Sequence, residues 1–345
     1  MRRNPNNFGV GKLKHEFLNK LLKTFVSDLE MKDKRIILGS KIGEDAAVID
    51  MGDNYLVAKT DPITFVSDDI GYYVVHVNVN DVVCTGAVPK WFQSTILLPQ
   101  RDTNEQSIEK IFKDIHDACK SMGISVIGGH VEITANLNRP IIVGSLLGEV
   151  EKEKLVKTHG ARIGDRLILT KGIFIEGTSI IGREKQKTLK KRGYDSEFIK
   201  KCKNYLYNPG ISVFKEALLA NQNFKIRAMH DPTEGGLNLG IAEMAIASNL
   251  GVLIEKNKVE ILPEPFELSK IFNLNPFGTI SSGSLLISIE DKYSDDLVDL
   301  LRKNNIKAEI IGNFISKDKG YEIIDKNLTK KPLIYSEIDE ITKIF

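Results

Sequence analysis

The chain has 345 residues, 42% of them hydrophobic and 27% charged, with a formal net charge of +2. That length exceeds one ordinary core and calls for two domains, while the even mixing of charge excludes nucleic acid or an anionic membrane as a partner on bulk electrostatics. No stretch reaches the roughly 20 uninterrupted apolar residues of a membrane span, and the basic N-terminus lacks the apolar run of a signal peptide, so a cytoplasmic location is expected.

In chain order, residues 1–10 are polar and are expected to stay mobile until something orders them. Leu13, Phe17, Leu18, Leu21, Leu22 and Phe25 then recur at helical spacing, predicting an amphipathic helix to about residue 29. Just before it, Gly9-Val10-Gly11-Lys12 could set backbone amides and one ammonium over a phosphate. Residues 55–59 read as a buried strand ending at Thr60-Asp61, followed by a loop. Residues 72–81 are ambiguous: Val75, Val77 and Val79 alternate with His76, Asn78 and Asn80, and β propensity favours a strand. A helix would instead bring His76 and Asn80 onto one face.

A strand at 91–98, an amphipathic helix at 107–122, a short strand at 125–127 running into Gly128-Gly129-His130, and a strand at 139–150 follow. This alternation is that of a mixed α/β sheet with helices on one face. The composition turns polar over 151–163, which divides the chain into an N-terminal segment and helix (1–34), an N-terminal domain (35–155) and a C-terminal domain (156–345). The second half gives a strand at 165–171, a helix at 176–182, a break at Asn208-Pro-Gly210 and a helix at 213–220. Gly235 and Gly236 then precede a helix at 240–248, where they permit close backbone approach and offer free amides to an anion. A strand at 283–289, a helix at 294–304 and a strand at 307–314 complete the half.

The residues that carry chemistry are acidic. Asp45, Asp61 and Asp81 fall at predicted strand ends and on the ambiguous segment. Carboxylates can face a triphosphate only across Mg²⁺, which takes oxygen ligands in octahedral geometry. Each could equally cap a helix or a turn. Glu132 and Asp68 are reserve ligands with a surface role favoured, and His76 reads as a satisfied polar residue before a catalytic base. Cys84, Cys119 and Cys202 are odd in number and form no CxxC pair, which argues against a disulfide framework or a zinc site.

Taken in order, Gly43-Glu-Asp-Ala-Ala-Val48, Thr60-Asp61, Asn80-Asp-Val-Val-Cys-Thr-Gly-Ala-Val-Pro89, Gly128-Gly-His130, Gly164-Asp165, His230-Asp-Pro-Thr-Glu-Gly-Gly236 and Ser281-Ser-Gly-Ser-Leu285 resemble the superfamily of aminoimidazole ribonucleotide (AIR) synthetase, selenophosphate synthetase, thiamine-monophosphate kinase and the hydrogenase maturation factor HypE. The resemblance implies a two-domain α/β (α+β) AIR synthetase-like fold, with N-terminal domains pairing through a shared β-barrel in a homodimer and Mg-ATP in a cleft beside it. It also decides residues 72–81 for helix, against local propensity. Asp45, Asp61 and Asp81 match the metal-ligand aspartates, and Gly128 and Gly129 a glycine turn near the nucleotide. Asp231, Thr233, Gly235 and Gly236 match a C-terminal-domain loop lining the same cleft. Gly11, Lys12 and Asn80 join the residues expected to bind nucleotide, and Asp81, His130 and Asp231 those expected to act in catalysis. His130 replaces an acidic residue of the kinase and the purine enzyme.

Two departures bear on activity. The sequence ends Lys343-Ile-Phe345 where HypE has its carbamoyl-accepting cysteine, and no cysteine precedes Cys84 where selenophosphate synthetase needs one. The expected function is a Mg²⁺-dependent ATP-utilising enzyme that phosphorylates or activates a small-molecule or protein-borne acceptor. The alternative is a nucleotide-binding maturation or regulatory scaffold with little turnover of its own.

Overall fold

The structure is a computed structural model that describes residues 11–30, 32–41 and 43–345. Residues 1–10, with the first part of the glycine-lysine segment, lie outside the described residues.

The first half runs α1 (His15–Phe25), α2 (Ser27–Glu30), β1 (Ile36–Leu38), β2 (Ala47–Asp50), β3 (Asn54–Ile63), α3 (Ile70–Cys84), β4 (Val88–Pro99), α4 (Glu105–Ser121), β5 (Ser125–Thr134) and β6 (Ile141–Glu151). Its strands form a six-stranded sheet in the order β1-β2-β3-β6-β4-β5, with β5 on an edge and parallel to β4. The ambiguous valine-rich segment is helical: α3 is buried at every position except Tyr72 and packs on β3, β6 and α4. Its apolar character all round fits a core helix. Burial of Val74, Val75, Val79, Val82 and Val83, each 0% exposed, contributes roughly 1.5–3 kcal/mol apiece, far more than the fraction of a kcal/mol by which valine disfavours a helix. Glycines on β6 let α3 come close. A Cβ on Gly144 would stand 2.3 Å from Asn78 Nδ2, and one on Gly148 2.7 Å from Val82.

The second half contains β7 (Arg166–Thr170), α5 (Ile175–Glu184), α6 (Gln186–Lys191), α7 (Ser196–Asn204), α8 (Phe214–Asn223), β8 (Ala228–His230), α9 (Gly236–Ala247), β9 (Gly251–Glu255), α10 (Pro263–Phe272), β10 (Leu286–Ile289), α11 (Ser294–Lys303), β11 (Ala308–Ile315), β12 (Tyr321–Ile324) and β13 (Lys330–Pro332). Its seven strands lie in the order β13-β12-β9-β11-β7-β10-β8.

Three boundaries differ from the sequence reading in ways that matter for the site. β3 does not stop at Asp61 but pairs with β6 as far as Ile63. β5 runs through Gly128, Gly129 and His130 to Thr134 instead of ending in a glycine turn. α9 begins at Gly236, four residues earlier than the apolar pattern suggested.

Buried polar groups of the first half hold the second half in place. The Asn80 side chain donates to Ile211 O at 2.8 Å and accepts from Val213 N at 2.9 Å. The Tyr73 hydroxyl donates to Ser179 Oγ at 2.7 Å, and Arg183 donates to Asp69 at 2.6 Å.

Candidate functional site

The elements around the junction of the two halves each deliver a charged side chain to one place. β3 supplies Lys59 and Asp61, α3 supplies Asp81, the loop before β2 supplies Asp45, the end of β8 supplies His230, and the residue after it is Asp231. One atom each of Asp45, His230 and Asp231 lie within 4.8 Å of one another. His230 bridges two carboxylates, with Nδ1 at 3.0 Å from Asp45 Oδ1 and Nε2 at 3.0 Å from Glu243 Oε2. Lys59 Nζ stands 3.1 Å from Asp81 Oδ2 and 3.4 Å from Asp61 Oδ2.

The electrostatics describe a cluster with too much negative charge. Burial, and then Asp45, push the Asp231 carboxyl up to about 7 against the pull of His230 and Lys59. Asp81 is driven well above the carboxylate range, again by burial first, with Asp231, Asp61 and Asp45 adding to it and Lys59 opposing. His230 is raised as well, but for an imidazole that shift keeps the charge. Burial alone would lower it, but Asp45 and Glu243 hold it protonated. Lys59 is likewise raised despite burial, by Asp81, Asp61 and Asp45. Among the described residues, Asp81 Oδ2 and Asp231 Oδ2 are buried with no hydrogen bond. Asp81 Oδ2 nonetheless has the Lys59 ammonium beside it as an ion pair, which Asp231 Oδ2 lacks. Unpaired buried acceptors of this kind cost about 1–3 kcal/mol each.

The donor set suits a hard cation. Asp45, Asp61, Asp81 and Asp231 offer carboxylate oxygens, the ligands Mg²⁺ prefers, and orphaned oxygens are what a cation would satisfy. His230 is not a ligand here, because both ring nitrogens already face carboxylates.

Beside the cluster opens a cavity of about 570 Å³ lined by Gly11, Lys12, Asp61, Thr233 and Glu234 among others. Lys12 Nζ reaches Glu234 at 2.9 Å and the Thr233 hydroxyl at 3.2 Å. Burial works against its charge, but Glu234, Glu243 and Asp61 hold Lys12 above its ordinary value.

Residues 43–150 match the N-terminal domain of AIR synthase related protein, and residues 162–325 match its C-terminal domain. The chain belongs to the AIR synthase related family. It is 27% identical over 329 residues to a putative hydrogenase expression/formation protein of Methanocaldococcus jannaschii, covering 91% of this chain and 94% of that one. It is 26% identical over 336 residues to the selenide, water dikinase of the same organism, covering 92% and 93%. Among solved structures, the hydrogenase maturation protein HypE in complex with ATP shares its fold, with a TM-score of 0.72, 18% identity, and 97% and 98% of the two chains covered.

Within this AIR synthase related chain the predicted residues separate into two groups. Asp45, Asp61, Asp81 and Asp231 meet in the acidic cluster, and Gly11, Lys12 and Thr233 line the adjoining cavity. The others are placed elsewhere or are otherwise engaged. The Asn80 amide bonds Ile211 and Val213, so Asn80 joins the halves, and it does not line the cavity. The amides of Gly235 and Gly236 are not free: Gly235 N donates to Asp339 Oδ2 at 2.7 Å and Gly236 N to Thr233 O at 3.0 Å. Their lack of a side chain answers a packing need instead, since a Cβ on Gly236 would stand 2.6 Å from Thr279 N at a φ of +63°.

Gly128, Gly129 and His130 lie on the exposed edge strand β5 and do not line the cavity. Gly129 is explained by β4, because a Cβ there would meet Ser94 O at 2.3 Å. His130 is exposed, 3.5 Å from Glu132 on the same strand. Glu132 and Asp68 are exposed, as their surface reading expects.

His76 departs from its expected satisfied state. It is buried on α3 against the Tyr72 ring, 4.0 Å between centroids, and neither nitrogen has a hydrogen-bond partner among the described residues. Burial, helped by Lys171, lowers it to about 3, so it is neutral.

Lys59, His230 and Glu243 were not among the predicted site residues. Lys59 was legible as the strand residue two before Asp61, on the same face of β3. His230 stood inside a quoted motif. Glu243 lies mid-helix, 13 residues beyond His230, with nothing local to mark it.

Proposed function

We propose that the chain is a Mg²⁺-dependent ATP-utilising enzyme, acting as a homodimer, that phosphorylates or activates a small-molecule or protein-borne acceptor. The observation that carries this reading is the convergence of Asp45, Asp61, Asp81 and Asp231 on one buried place with orphaned carboxylate oxygens beside a cavity of substrate size. The ATP-bound HypE structure of the same fold supports the nucleotide half of the proposal.

Asp45, Asp61, Asp81 and Asp231 would hold the metal, which supplies positive charge to phosphate oxygens that carboxylates alone would repel. Lys12 stands at the cavity wall held by Glu234 and Thr233, and would turn part of its ammonium to a phosphate oxygen as a point charge. Lys59 keeps Asp61 and Asp81 together by lying between them. The His230 imidazolium orients Asp45 from one side while Glu243 fixes the ring from the other. Catalysis in such a site rests on positioning and on preorganised charge.

We place the division between the two domains at residues 155 and 156. The homodimer is supported by β5, an edge strand with Val126, Ile127, Val131 and Ile133 all exposed, since an apolar unpaired edge is a template for another chain.

Calorimetric titration with ATP, with and without Mg²⁺, tests the central claim on wild type and Asp45→Asn. Binding that needs the metal and is lost in the variant is the expected result. Absence of binding to wild type would remove the proposal.

A further inference from the structure

Cys84 stands beside the acidic cluster and has no part in the phosphate reading. It is the last residue of α3, three positions after Asp81, so the helix sets the two side chains on neighbouring turns of one face. Its Sγ lies 3.7 Å from Asp231 Oδ1. Cys84 is 2% exposed and Asp231 1% exposed. The second oxygen of that carboxylate, Asp231 Oδ2, has no hydrogen-bond partner among the described residues. Asp231 also offers an oxygen within 4.8 Å of donor atoms from Asp45 and His230. A buried free cysteine ordinarily serves as a small apolar residue, but this one meets a carboxylate that is short of partners.

The separation of the two donors is that of ligands to one ion. In a tetrahedral zinc site, a Zn–S bond of about 2.3 Å and a Zn–O bond of about 2.1 Å set sulfur and oxygen about 3.6 Å apart, against 3.7 Å between Cys84 Sγ and Asp231 Oδ1. The sulfur changes which cation the place selects. Mg²⁺ takes oxygen ligands and gains little from a thiol, whereas Zn²⁺ accepts thiolate and carboxylate together.

We propose that Cys84, Asp231 and Asp45 form a site for a thiophilic divalent cation, Zn²⁺ foremost, and that this ion displaces Mg²⁺ from the two aspartates. On binding, the S–H bond breaks and a Zn–S bond forms, the proton leaves to solvent, and nothing is oxidised or reduced. Water completes the coordination, because both nitrogens of His230 face carboxylates. Ligation by Cys84 stands on the geometry alone, while the competition rests on reading the same aspartates as part of a Mg-ATP site.

Co²⁺ is the optical probe, since a cobalt–thiolate bond gives near-ultraviolet charge-transfer absorption that oxygen ligands do not. Titration of the full chain should produce this band, saturating at a single ion per chain, and added Zn²⁺ should remove it. The band should be absent from Cys84→Ser and from Cys84→Ala, both of which keep Cys119 and Cys202. Zn²⁺ affinity, read by competition with a chromophoric chelator, should fall about 100-fold or more in both, beyond the 10–100-fold that loss of a merely supporting group costs. The alanine variant reports on the thiol even if the serine hydroxyl disturbs the fold. Asp231→Asn should weaken the band, which a lone reactive thiol would not require. Mg²⁺ with a non-hydrolysable ATP analogue should displace Co²⁺ from wild type, and Zn²⁺ should suppress analogue binding in wild type far more than in Cys84→Ser. No band in wild type, or a band that survives in both cysteine variants, overturns the site. A band that Mg²⁺ and the analogue leave untouched, in a protein that binds the analogue, overturns the displacement. A Cys84-dependent band in a protein that binds no analogue at all keeps the zinc site and removes the Mg-ATP reading.

Discussion

The cleft and the β5 edge depart from ordinary sorting of side chains in opposite senses. In the cleft, Asp81 and Asp231 are buried, Asp81 against Lys59 and Asp231 with an oxygen that has no hydrogen-bond partner among the described residues. On β5, Val126 and Ile127 are each 53% exposed and Ile133 51%, on a strand whose own edge faces away from the sheet. The first departure costs electrostatic free energy, because removing a carboxylate from water without compensation is expensive. The second leaves hydrophobic free energy ungained and an unpaired backbone edge. Departures of this kind concentrate where proteins bind something else, although they are not confined to these two regions, since His76 is also buried without a partner among the described residues. Under the proposed function the contrast would assign cations and polar ligands to the cleft and another apolar strand to β5.

The largest expected effect separates the cost of Asp81 to folding from its use. Asp81→Asn keeps the shape and removes a buried charge that only Lys59 offsets closely. ATP turnover should fall about 100-fold or more, the scale of losing one preorganised electrostatic group, while Tm moves by a few degrees at most. Full activity in this variant would sink the metal-ligand assignment, whereas collapse of the fold would show Asp81 to be structural.

Next comes the edge. Ile127→Lys together with Val131→Lys puts charge on the exposed strand, where natural edges use lysine to prevent pairing. If β5 pairs two copies, sedimentation should show wild type at twice the chain mass and the variant at the chain mass, with Tm lower in the variant by the lost association. A wild type that sediments at the chain mass breaks the comparison at its second term.

Much of this was legible from residues alone, and the failures have identifiable causes. Asp45, Asp61 and Asp81 were readable through the ordered motifs that resemble the superfamily, since each alone could have capped a helix or a turn. α3 was not readable from propensity: its alternating valines look like a strand, and only tertiary burial makes them a helix. Gly235 and Gly236 looked like an anion site, but the carboxylate of Asp339, over a hundred residues later, takes the first amide. Glu176 and Ser282 face one cavity from sequence positions that share no local pattern. His130 follows two glycines in a motif, yet a register shift opposite Phe92 and Gln93 and the close approach of Ser94 explain those glycines by strand packing.

The smallest effect sharpens the contrast through pH, because two buried groups act with opposite signs. His76, held near 3 in the fold against an ordinary value of 6.5, binds fewer protons folded than unfolded between those limits. Its contribution to stability therefore rises with pH from about 3 to 6.5 and is lost on acidification through that window. Glu176, raised from 4.5 to about 8, binds more protons folded than unfolded, so it lowers stability as pH climbs from 4.5 to 8. Each window is worth of order a few kcal/mol at most, and between about 4.5 and 6.5 the two largely cancel. Denaturant midpoints of His76→Leu should lose part of the fall seen below pH 5. Those of Glu176→Gln should lose part of the decline above pH 7 and leave the acid limb as it is. If Glu176→Gln instead tracks wild type up to pH 8, its carboxyl is already paired in solution, and the cleft is less polarised than its unpartnered oxygens indicate.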